Sequence, residues 1–289
     1  MSTFNWQPQR LEHLGALKVL IVGGTGGLGQ AISQKLAAGG ANVTVVGQTF
    51  RDKDNANISF VKADLSSIKD ARETARKLDV SNTDVVLFTA GIFAAPQRQE
   101  TSEGLERDLA VSFLNRKVML DEIVPRLKTG RNEFGFIPRV FNMAYPGDNK
   151  LGNIDDLNSE KKYSTMSAHL TTVAGNEALV YDSVLEFPKV HFYGLNPGIV
   201  KTSIRNNLLG ENSWKSTIVE GILSWFTKTP EQYATGIAPL LIAPELEERN
   251  GSCFDNKGKL LQRSKGMTDE YARNFIKAAQ DLLARKGLN

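Results

Sequence analysis

The chain has 289 residues, 41% of them hydrophobic, and a net charge of +3 from charges mixed along its length. This length fits one α/β domain, and the mixed charges argue against the basic surface of a nucleic-acid-binding protein. The single cysteine excludes an internal disulfide and fits a reducing compartment, and the apolar segments are too short to span a bilayer, so we expect a cytoplasmic protein without a membrane partner.

Strand and helix signals alternate along most of the chain. The predicted strands lie at 17–22, 42–47, 58–64, 84–91, 139–144 and 190–198, and the predicted helices at 28–40, 68–78, roughly 103–127 and about 165–186. A helix at 229–246, a last strand at 251–262 with Gly258 in a turn, and an amphipathic helix at 268–287 follow. Apolar strands separated by helices are typical of an α/β fold: a single doubly wound, Rossmann-like parallel sheet with helices on both faces, whose ligands bind at the carboxyl ends of the strands.

The strongest motif is the turn after the first predicted strand, in the sequence VLIVGGTGGLGQAI. Gly23, Gly27 and Gly29 follow a GxxxGxG spacing, and a helix is predicted directly after them. Glycines permit a tight turn and let backbone N–H groups approach a pyrophosphate, which the positive end of the helix dipole also favours. Because a strand precedes the turn and a helix follows it, the motif favours dinucleotide binding over a purely structural turn.

The spacing resembles that of the short-chain dehydrogenase/reductase family, whose other motifs occur here in the same order. Asp64 and Leu65 match the place of its adenine-contacting Asp, TAG at 89–91 matches the end of its Asn-Asn-Ala-Gly motif, and PGIVKT at 197–202 matches its nicotinamide-holding loop. The resemblance covers about residues 15–205. It implies that the cofactor-binding residues are Gly23, Thr25, Gly27, Leu28, Gly29, Gln48, Arg51, Asp64, Leu65, Ala90, Gly91, Pro197, Gly198, Val200 and Thr202.

The end of the second predicted strand, VVGQTFRDK, favours NADP(H) over NAD. NAD-binding folds place an Asp or Glu there, about 20 residues after the glycines, to bind the ribose 2′-hydroxyl. Gln48 supplies no carboxylate, whereas Arg51 and Lys53 lie close enough in the sequence to tolerate or pair a 2′-phosphate. Asp52 and Asp54 oppose this interpretation, but NADPH is the expected cofactor.

The family pattern breaks where the resemblance places the catalytic residues. Family members reduce a carbonyl with a Tyr that gives the proton, a Lys four residues later, a Ser and an Asn, and this chain has no Tyr-x-x-x-Lys. Alignment on the PG and GNEAL sequences puts His169 at the Tyr position and Val173 at the Lys position. The Ser position falls at Ala144 or Tyr145, and the Asn position holds Ser112.

Three side chains are candidates for proton transfer in place of the missing Tyr. An imidazole titrates near pH ~6.5, so His169 can serve as an acid or a base, although a helical His is often only structural. Tyr145, in a loop that faces the cofactor cleft, is the second candidate, and Tyr163 is the third. We therefore expect His169, Tyr145 and Ser112 as the catalytic set, and no metal site, because no His/Cys cluster has ligand spacing.

Three functions remain open on these residues. The favoured one is an NADP(H)-dependent oxidoreductase for a small hydrophobic carbonyl or enone compound, since apolar residues recur at 92–96 and 203–226. The others are a non-redox isomerase, dehydratase or cyclase on the same scaffold, and a non-catalytic NADP-binding protein. We expect residues 1–289 to form a single dinucleotide-binding domain, with 203–250 as a helical segment that covers the substrate, and we leave a homodimer open.

Overall fold

A computed structural model describes residues 4–198 and 228–289, and in this part of the chain eight strands form one sheet. The strands are β1 (Lys18–Val22), β2 (Asn42–Gly47), β3 (Ile58–Lys62), β4 (Val85–Phe88), β5 (Arg139–Met143), β6 (His191–Leu195), β7 (Cys253–Phe254) and β8 (Leu260–Leu261). Their order is β3-β2-β1-β4-β5-β6-β7-β8. Among these strands only β7 and β8 pair antiparallel. Strands β2 and β3 are added on one side of β1, and β4 and the later strands are added on its other side. Sheets of this kind bind ligands at the point between β1 and β4 where the strand order reverses.

Helices cover both faces of the sheet. One face carries α1 (Gly27–Ala38) and α6 (Pro230–Leu241), and the other carries α2 (Ile68–Lys77), α4 (Asn115–Ile123), α5 (Thr165–Glu186) and α7 (Asp269–Arg285). A short α3 (Arg107–Leu109) leads through a π-helical turn (Ala110–Leu114) directly into α4. Among the described helices, none has both the length and the apolar character needed to cross a bilayer.

The central strands are buried on both faces, which explains why their sequences do not alternate. In β1, Leu20 and Val22 belong to the core beneath α4 and α5, whereas Val19 and Ile21 belong to the core beneath α1 and α6. A strand covered on both sides gains hydrophobic stabilisation at every position, so polar residues are not required at every second one. The predicted doubly wound parallel sheet is confirmed.

Most predicted elements occur close to their predicted positions. In the predicted last strand at 251–262, the chain turns at Gly258, as predicted, with φ +72°, and the two sides of the turn form the antiparallel hairpin of β7 and β8. The predicted helix at 103–127 begins only at Arg107 and is interrupted by the π-helical turn. Of the segment 203–250, residues from 228 onward are described, and their main helix α6 packs beside α1.

Gly175 sets how closely α5 approaches its neighbours. A Cβ at this position would lie 2.9 Å from the ring of Phe275 and 3.0 Å from the ring of Phe113, which pack edge to face at a centroid distance of 5.7 Å. The absence of a side chain therefore lets α5 lie directly against the π-helical turn and α7. This approach brings the first half of α5 to the carboxyl edge of the sheet beside α3.

The Gly175→Ala variant is expected to unfold more easily. Overpacking a closed core costs about 1–3 kcal/mol, which we expect to outweigh the ~1 kcal/mol that alanine contributes through helix propensity. Gly236→Ala in α6 is the matched control, since its added Cβ would have no atom within 4 Å and the position is exposed. Denaturant unfolding should give a lower free energy of unfolding than wild type for Gly175→Ala and a higher one for Gly236→Ala. Equal gains at both positions would contradict the close packing of α5.

Candidate active site

Two adjoining clefts open at the carboxyl ends of the central strands. The first, here called the glycine cleft, has walls from the turn between β1 and α1 and from the end of β2. Of the residues predicted to bind a cofactor, it is lined by Gly23, Thr25, Gly27, Leu28, Gly29, Gln48, Arg51, Leu65, Ala90 and Gly91. The second, here called the histidine cleft, lies between α5 and the end of β5. The two clefts share Leu28, Thr89, Gly91 and Ile92, so a ligand that fills one can reach the other.

The backbone of the glycine cleft suits a phosphate group. Gly23 has φ +92°, and a Cβ there would lie 2.3 Å from the backbone N of Ala90, so only glycine allows this turn. Helix α1 begins behind Gly26, which offers no side-chain cap, and its first turn holds no acidic residue. The N–H groups of that turn and the helix dipole thus face the cleft without a competing carboxylate. This arrangement fits the pyrophosphate of a dinucleotide.

Charged residues after β2 are divided between the cleft and helix α1. Arg51 lines the glycine cleft and donates a hydrogen bond to the backbone oxygen of Thr25. Asp52 is turned toward α1, where it accepts hydrogen bonds from Gln30 at 3.1 Å and Gln34 at 2.5 Å. Within the described part of the chain, Arg51 is therefore the only one of residues 51–54 whose charged group lies on the wall of this cleft.

Asp64 lies behind the glycine cleft rather than on its wall. Its Oδ1 accepts hydrogen bonds from Gln48 at 3.3 Å and from the Ser66 hydroxyl at 2.7 Å. The bond from Ser66 lowers the pKa of the Asp64 carboxyl, although partial burial opposes it. The carboxylate thus holds Gln48, which does line the cleft. Arg107 lines the same cleft and was not predicted from the sequence.

The three predicted catalytic residues all line the histidine cleft. His169 comes from α5, Ser112 from the π-helical turn, and Tyr145, 43% exposed, from the loop after β5. Pro197, Gly198, Ala144 and Val173 line it as well. Tyr163, the third proton-transfer candidate, instead donates its hydroxyl hydrogen to the backbone oxygen of Ala95 and is not part of the wall. Val200 and Thr202 lie outside the described residues.

His169 is held by a buried carboxylate that the sequence did not point to. Its Nδ1 lies 2.9 Å from Oδ2 of Asp108, whose side chain is 0% exposed. The ring also stacks on Phe93, with centroids 3.9 Å apart and an interplanar angle of 26°. An ionised Asp108 accepts the Nδ1 proton, which leaves Nε2 as the nitrogen available for proton exchange. A carboxylate and an imidazole placed in this way can act together as an acid or a base.

Ser112 links this pair to the loop after β4. Its hydroxyl donates to Oδ1 of Asp108 and accepts a hydrogen bond of 3.0 Å from the backbone N of Ile92. The hydroxyl hydrogen is therefore already used by Asp108. In this arrangement Ser112 supports the carboxylate instead of polarising a substrate carbonyl.

Arg116 lies at the floor of the histidine cleft and is also absent from the sequence predictions. Its Nη1 donates to Asn142 Oδ1 at 2.7 Å, to the backbone oxygen of Met143 at 2.6 Å and to Asn176 Oδ1 at 3.1 Å, while Nη2 donates to the backbone oxygen of Ala90. Burial lowers the pKa of this guanidinium to about 9, against the opposing charge of Asp108.

Two residues that were not predicted, Asp108 and Arg116, share one signal with the predicted Ser112. Asp108, Ser112 and Arg116 are spaced by four, so polar groups recur on one side of a helical stretch that is otherwise buried. Asn176 follows His169 by two helical turns on α5. Within residues 4–198 and 228–289, no group of three His, Cys, Asp or Glu side chains could hold a metal ion.

Comparisons with known proteins show which sequences and folds this chain is similar to. The family model for short chain dehydrogenases matches residues 17–137. An uncharacterized oxidoreductase of Saccharomyces cerevisiae is 43% identical, across 99% of this chain and 94% of its own length. Retinol dehydrogenase 13 of Homo sapiens is 25% identical, across 89% of this chain and 81% of its own. A solved protein structure from Mycobacterium paratuberculosis is similar in fold, with a TM-score of 0.69, 19% identity and coverage of 97% of this chain and 98% of that one.

Proposed function

The chain belongs to the short-chain dehydrogenase/reductase family, and from that premise we propose that it is an NADP(H)-dependent oxidoreductase for a small hydrophobic carbonyl or enone compound. The observation that carries the proposal is the contact between His169 and buried Asp108, on the wall of a cleft that adjoins the glycine cleft. When bound, the nicotinamide would provide a hydride for the substrate carbon, and a carbonyl substrate would then need one proton on its oxygen to become the alcohol. The protein must hold both partners and deliver that proton.

The glycine cleft would hold the cofactor. The first turn of α1 faces the pyrophosphate with its backbone N–H groups, and Gly23 and Gly29 leave room for the close approach. Arg51, whose guanidinium lies against Thr25, is the group that would pair with a 2′-phosphate. No carboxylate of residues 51–54 lines this cleft in the described structure to bind a free 2′-hydroxyl, which supports NADP(H) over NAD.

His169 would deliver the proton. In the imidazolium form, Asp108 accepts the Nδ1 hydrogen and stabilises the positive charge, while Nε2–H donates toward the substrate oxygen. Stacking on Phe93 limits rotation of the ring. Val173 supplies no cation on the next turn of α5, where the family pattern has the Lys that acts together with its Tyr.

The walls of the histidine cleft support an apolar substrate. The described residues enclose about 380 Å³, and although Arg116, Asp148 and His169 also line the cleft, the larger part of its exposed surface is apolar, with contributions from Leu28, Ile92, Phe93, Met143, Leu170 and Val173. Burying apolar surface against such walls contributes roughly 25 cal/mol per Å². The relative retinol dehydrogenase 13 is named for retinol, an apolar alcohol, and this is consistent with an apolar substrate.

A non-redox reaction is the second candidate. The His169–Asp108 pair is an acid–base unit that could move a proton on carbon without any hydride transfer. This observation favours an isomerase or a dehydratase over a protein that binds NADP without chemistry.

Arg51→Ala is expected to weaken NADPH binding and leave NADH binding unchanged. A hydrogen bond to a charged group contributes about 1.5–3 kcal/mol, which corresponds to roughly a 10- to 100-fold loss of affinity. Lys53→Ala is the matched control, because it removes a neighbouring charge that does not line the glycine cleft. Isothermal titration calorimetry with both cofactors measures the effect. Equal losses for NADPH and NADH in Arg51→Ala would reject the assignment.

His169→Phe is expected to fold, to bind NADPH and to lose activity by about 10²-fold or more, the usual contribution of a positioned acid. NADPH absorbance at 340 nm with a panel of apolar aldehydes, ketones and enones measures turnover. Tyr163→Phe is the control, since its hydroxyl donates to the Ala95 backbone oxygen and Tyr163 is not among the described residues that line the histidine cleft. If His169→Phe turned over substrate at the wild-type rate, His169 would not be the proton donor, and Tyr145→Phe would then be tested.

A further inference from the structure

Most polar side chains on the wall of the histidine cleft already use their hydrogens within the protein. The hydroxyl or amide hydrogens of four of them are donated to other protein groups: those of Thr89, Ser112, Thr172 and Asn176. Arg116 donates to four protein oxygens, and its Nε is buried. A substrate could take a hydrogen bond from these groups only by replacing one that they already make, which costs about as much as it gains.

Three side chains on the same wall keep an unused polar atom, as far as the described part of the chain is concerned. They are His169 with its Nε2, Tyr145 with its hydroxyl and Asp148 with one carboxylate oxygen. The other oxygen of Asp148 accepts a 2.9 Å hydrogen bond from the backbone N of Lys150. No ion pair within 4 Å joins Asp148 to another described residue. Asp148 is therefore an acceptor that the surrounding protein leaves open to the cleft.

The loop that carries Asp148 is held on both sides of this residue. Gly147 donates its backbone N–H to Glu177 Oε2 at 3.1 Å, and Asn149 donates its own to the Ser264 hydroxyl at 3.1 Å. Ser264 in turn donates to both oxygens of Glu177, at 2.8 and 2.7 Å. Glu177 lies on α5 and is 1% exposed, so the loop is fixed to the buried side of that helix. The position of Asp148 on the cleft wall is therefore set by the fold.

A carboxylate in a mainly apolar cleft favours a ligand that donates a hydrogen bond. Burial raises the pKa of Asp148 and outweighs the hydrogen bond from Lys150. A substrate that displaces water from the open oxygen leaves it unpaired unless the substrate itself is a donor, and an unpaired polar group is costly. A hydroxyl meets this need. An ammonium group would also have to lose its own hydration, at a larger cost, and a carboxylate would be repelled.

We propose that Asp148 determines specificity, and that the substrate is an apolar carbonyl compound with a hydroxyl group that donates to this carboxylate while the carbonyl oxygen faces His169. The substrate class rests on the proposed function, in which the histidine cleft holds the substrate. A site built to bind a substrate hydroxyl discriminates against an analogue without it, because the polar group of the protein is then left unpaired.

A set of ketones with one skeleton tests this class by their binding to the full chain. The probes are 4-phenyl-2-butanone and its forms with a hydroxyl, a methoxy or a carboxylate group at position 3 or 4 of the ring. Methoxy keeps the oxygen but has no hydrogen to donate, so it is the matched control for hydroxyl. Calorimetry in the presence of NADP⁺, which cannot reduce the ketones, measures the affinities. Wild type should bind a hydroxyl compound roughly 10-fold or more tightly than its methoxy counterpart, as expected for a hydrogen bond to a charged group, and should bind the carboxylate compounds most weakly.

Two substitutions of Asp148 should change this preference in different ways. Asp148→Leu removes the acceptor, so hydroxyl and methoxy compounds should bind alike and the unsubstituted ketone at least as tightly. In Asp148→Asn, the amide oxygen would accept from Lys150 and leave the NH₂ group for the cleft, so the carboxylate compounds should bind more tightly than to wild type. Asp155→Asn is the control, because it makes the same charge change at an exposed residue that is not among the described residues of the cleft wall.

Equal affinity of wild type for the hydroxyl and methoxy compounds would overturn the proposal, and so would failure of every hydroxyl compound to bind. A hydroxyl preference that persists in Asp148→Leu, or the same gain for carboxylates in Asp155→Asn as in Asp148→Asn, would also overturn it. Asp148→Asn keeps the bond to Lys150 and carries the test if the leucine variant does not fold. Oxidation of NADPH by the same ketones is measured separately. A hydroxyl preference that depends on Asp148, without any NADPH oxidation, would support the ligand class and count against the proposed redox function alone.

Discussion

The close approach of the turn between β1 and α1 to the end of β4 is the constraint on which both clefts depend. A side chain at Gly23 would meet the backbone of Ala90, and one at Gly29 would lie 2.4 Å from the Thr89 hydroxyl oxygen. With hydrogen alone at these positions, α1 begins directly above the ends of the central strands. The glycine cleft and the histidine cleft therefore share a wall, with Thr89 and Gly91 in both. A cofactor in the first cleft would have its reactive end beside a substrate in the second.

The groups that could carry acid–base chemistry in the histidine cleft come from two helical stretches instead of one. In the family pattern, a Tyr and a Lys on α5 act together, but here α5 presents His169 and the apolar Val173. The charges come from the opposite helical stretch, as Asp108 against the imidazole and Arg116 at the floor of the cleft. Because both are buried, their interactions are screened little by water. The missing Tyr-x-x-x-Lys therefore does not leave the cleft without a group that can exchange protons.

Local patterns in the sequence were sufficient to predict the sheet, most helices and the glycine turn, because these depend on spacing between residues that are near in the chain. The contact between His169 and Asp108 joins residues 61 positions apart, and nothing local in either helix marks its partner. Arg116 lies within a predicted helix, and nothing in the neighbouring sequence indicates that its side chain is buried. The sequence predicts the turn at Gly258 but does not show that the residues on either side of it pair antiparallel as β7 and β8. The expectation that 203–250 covers the substrate stays a prediction, since the described helix α6 packs on α1 and contributes no residue to the histidine cleft.

Deuterium transfer from labelled NADPH to a product is the most direct test of whether this protein catalyses a redox reaction. The wild-type chain would be incubated with NADPH deuterated at the transferring C4 position and with a panel of apolar aldehydes, ketones and enones, and the products would be analysed by mass spectrometry. The account predicts one deuterium on the reduced carbon of the product, with one equivalent of NADP⁺ formed. Conversion of a compound in the panel without deuterium in the product and without oxidation of NADPH would contradict it and would favour a non-redox reaction.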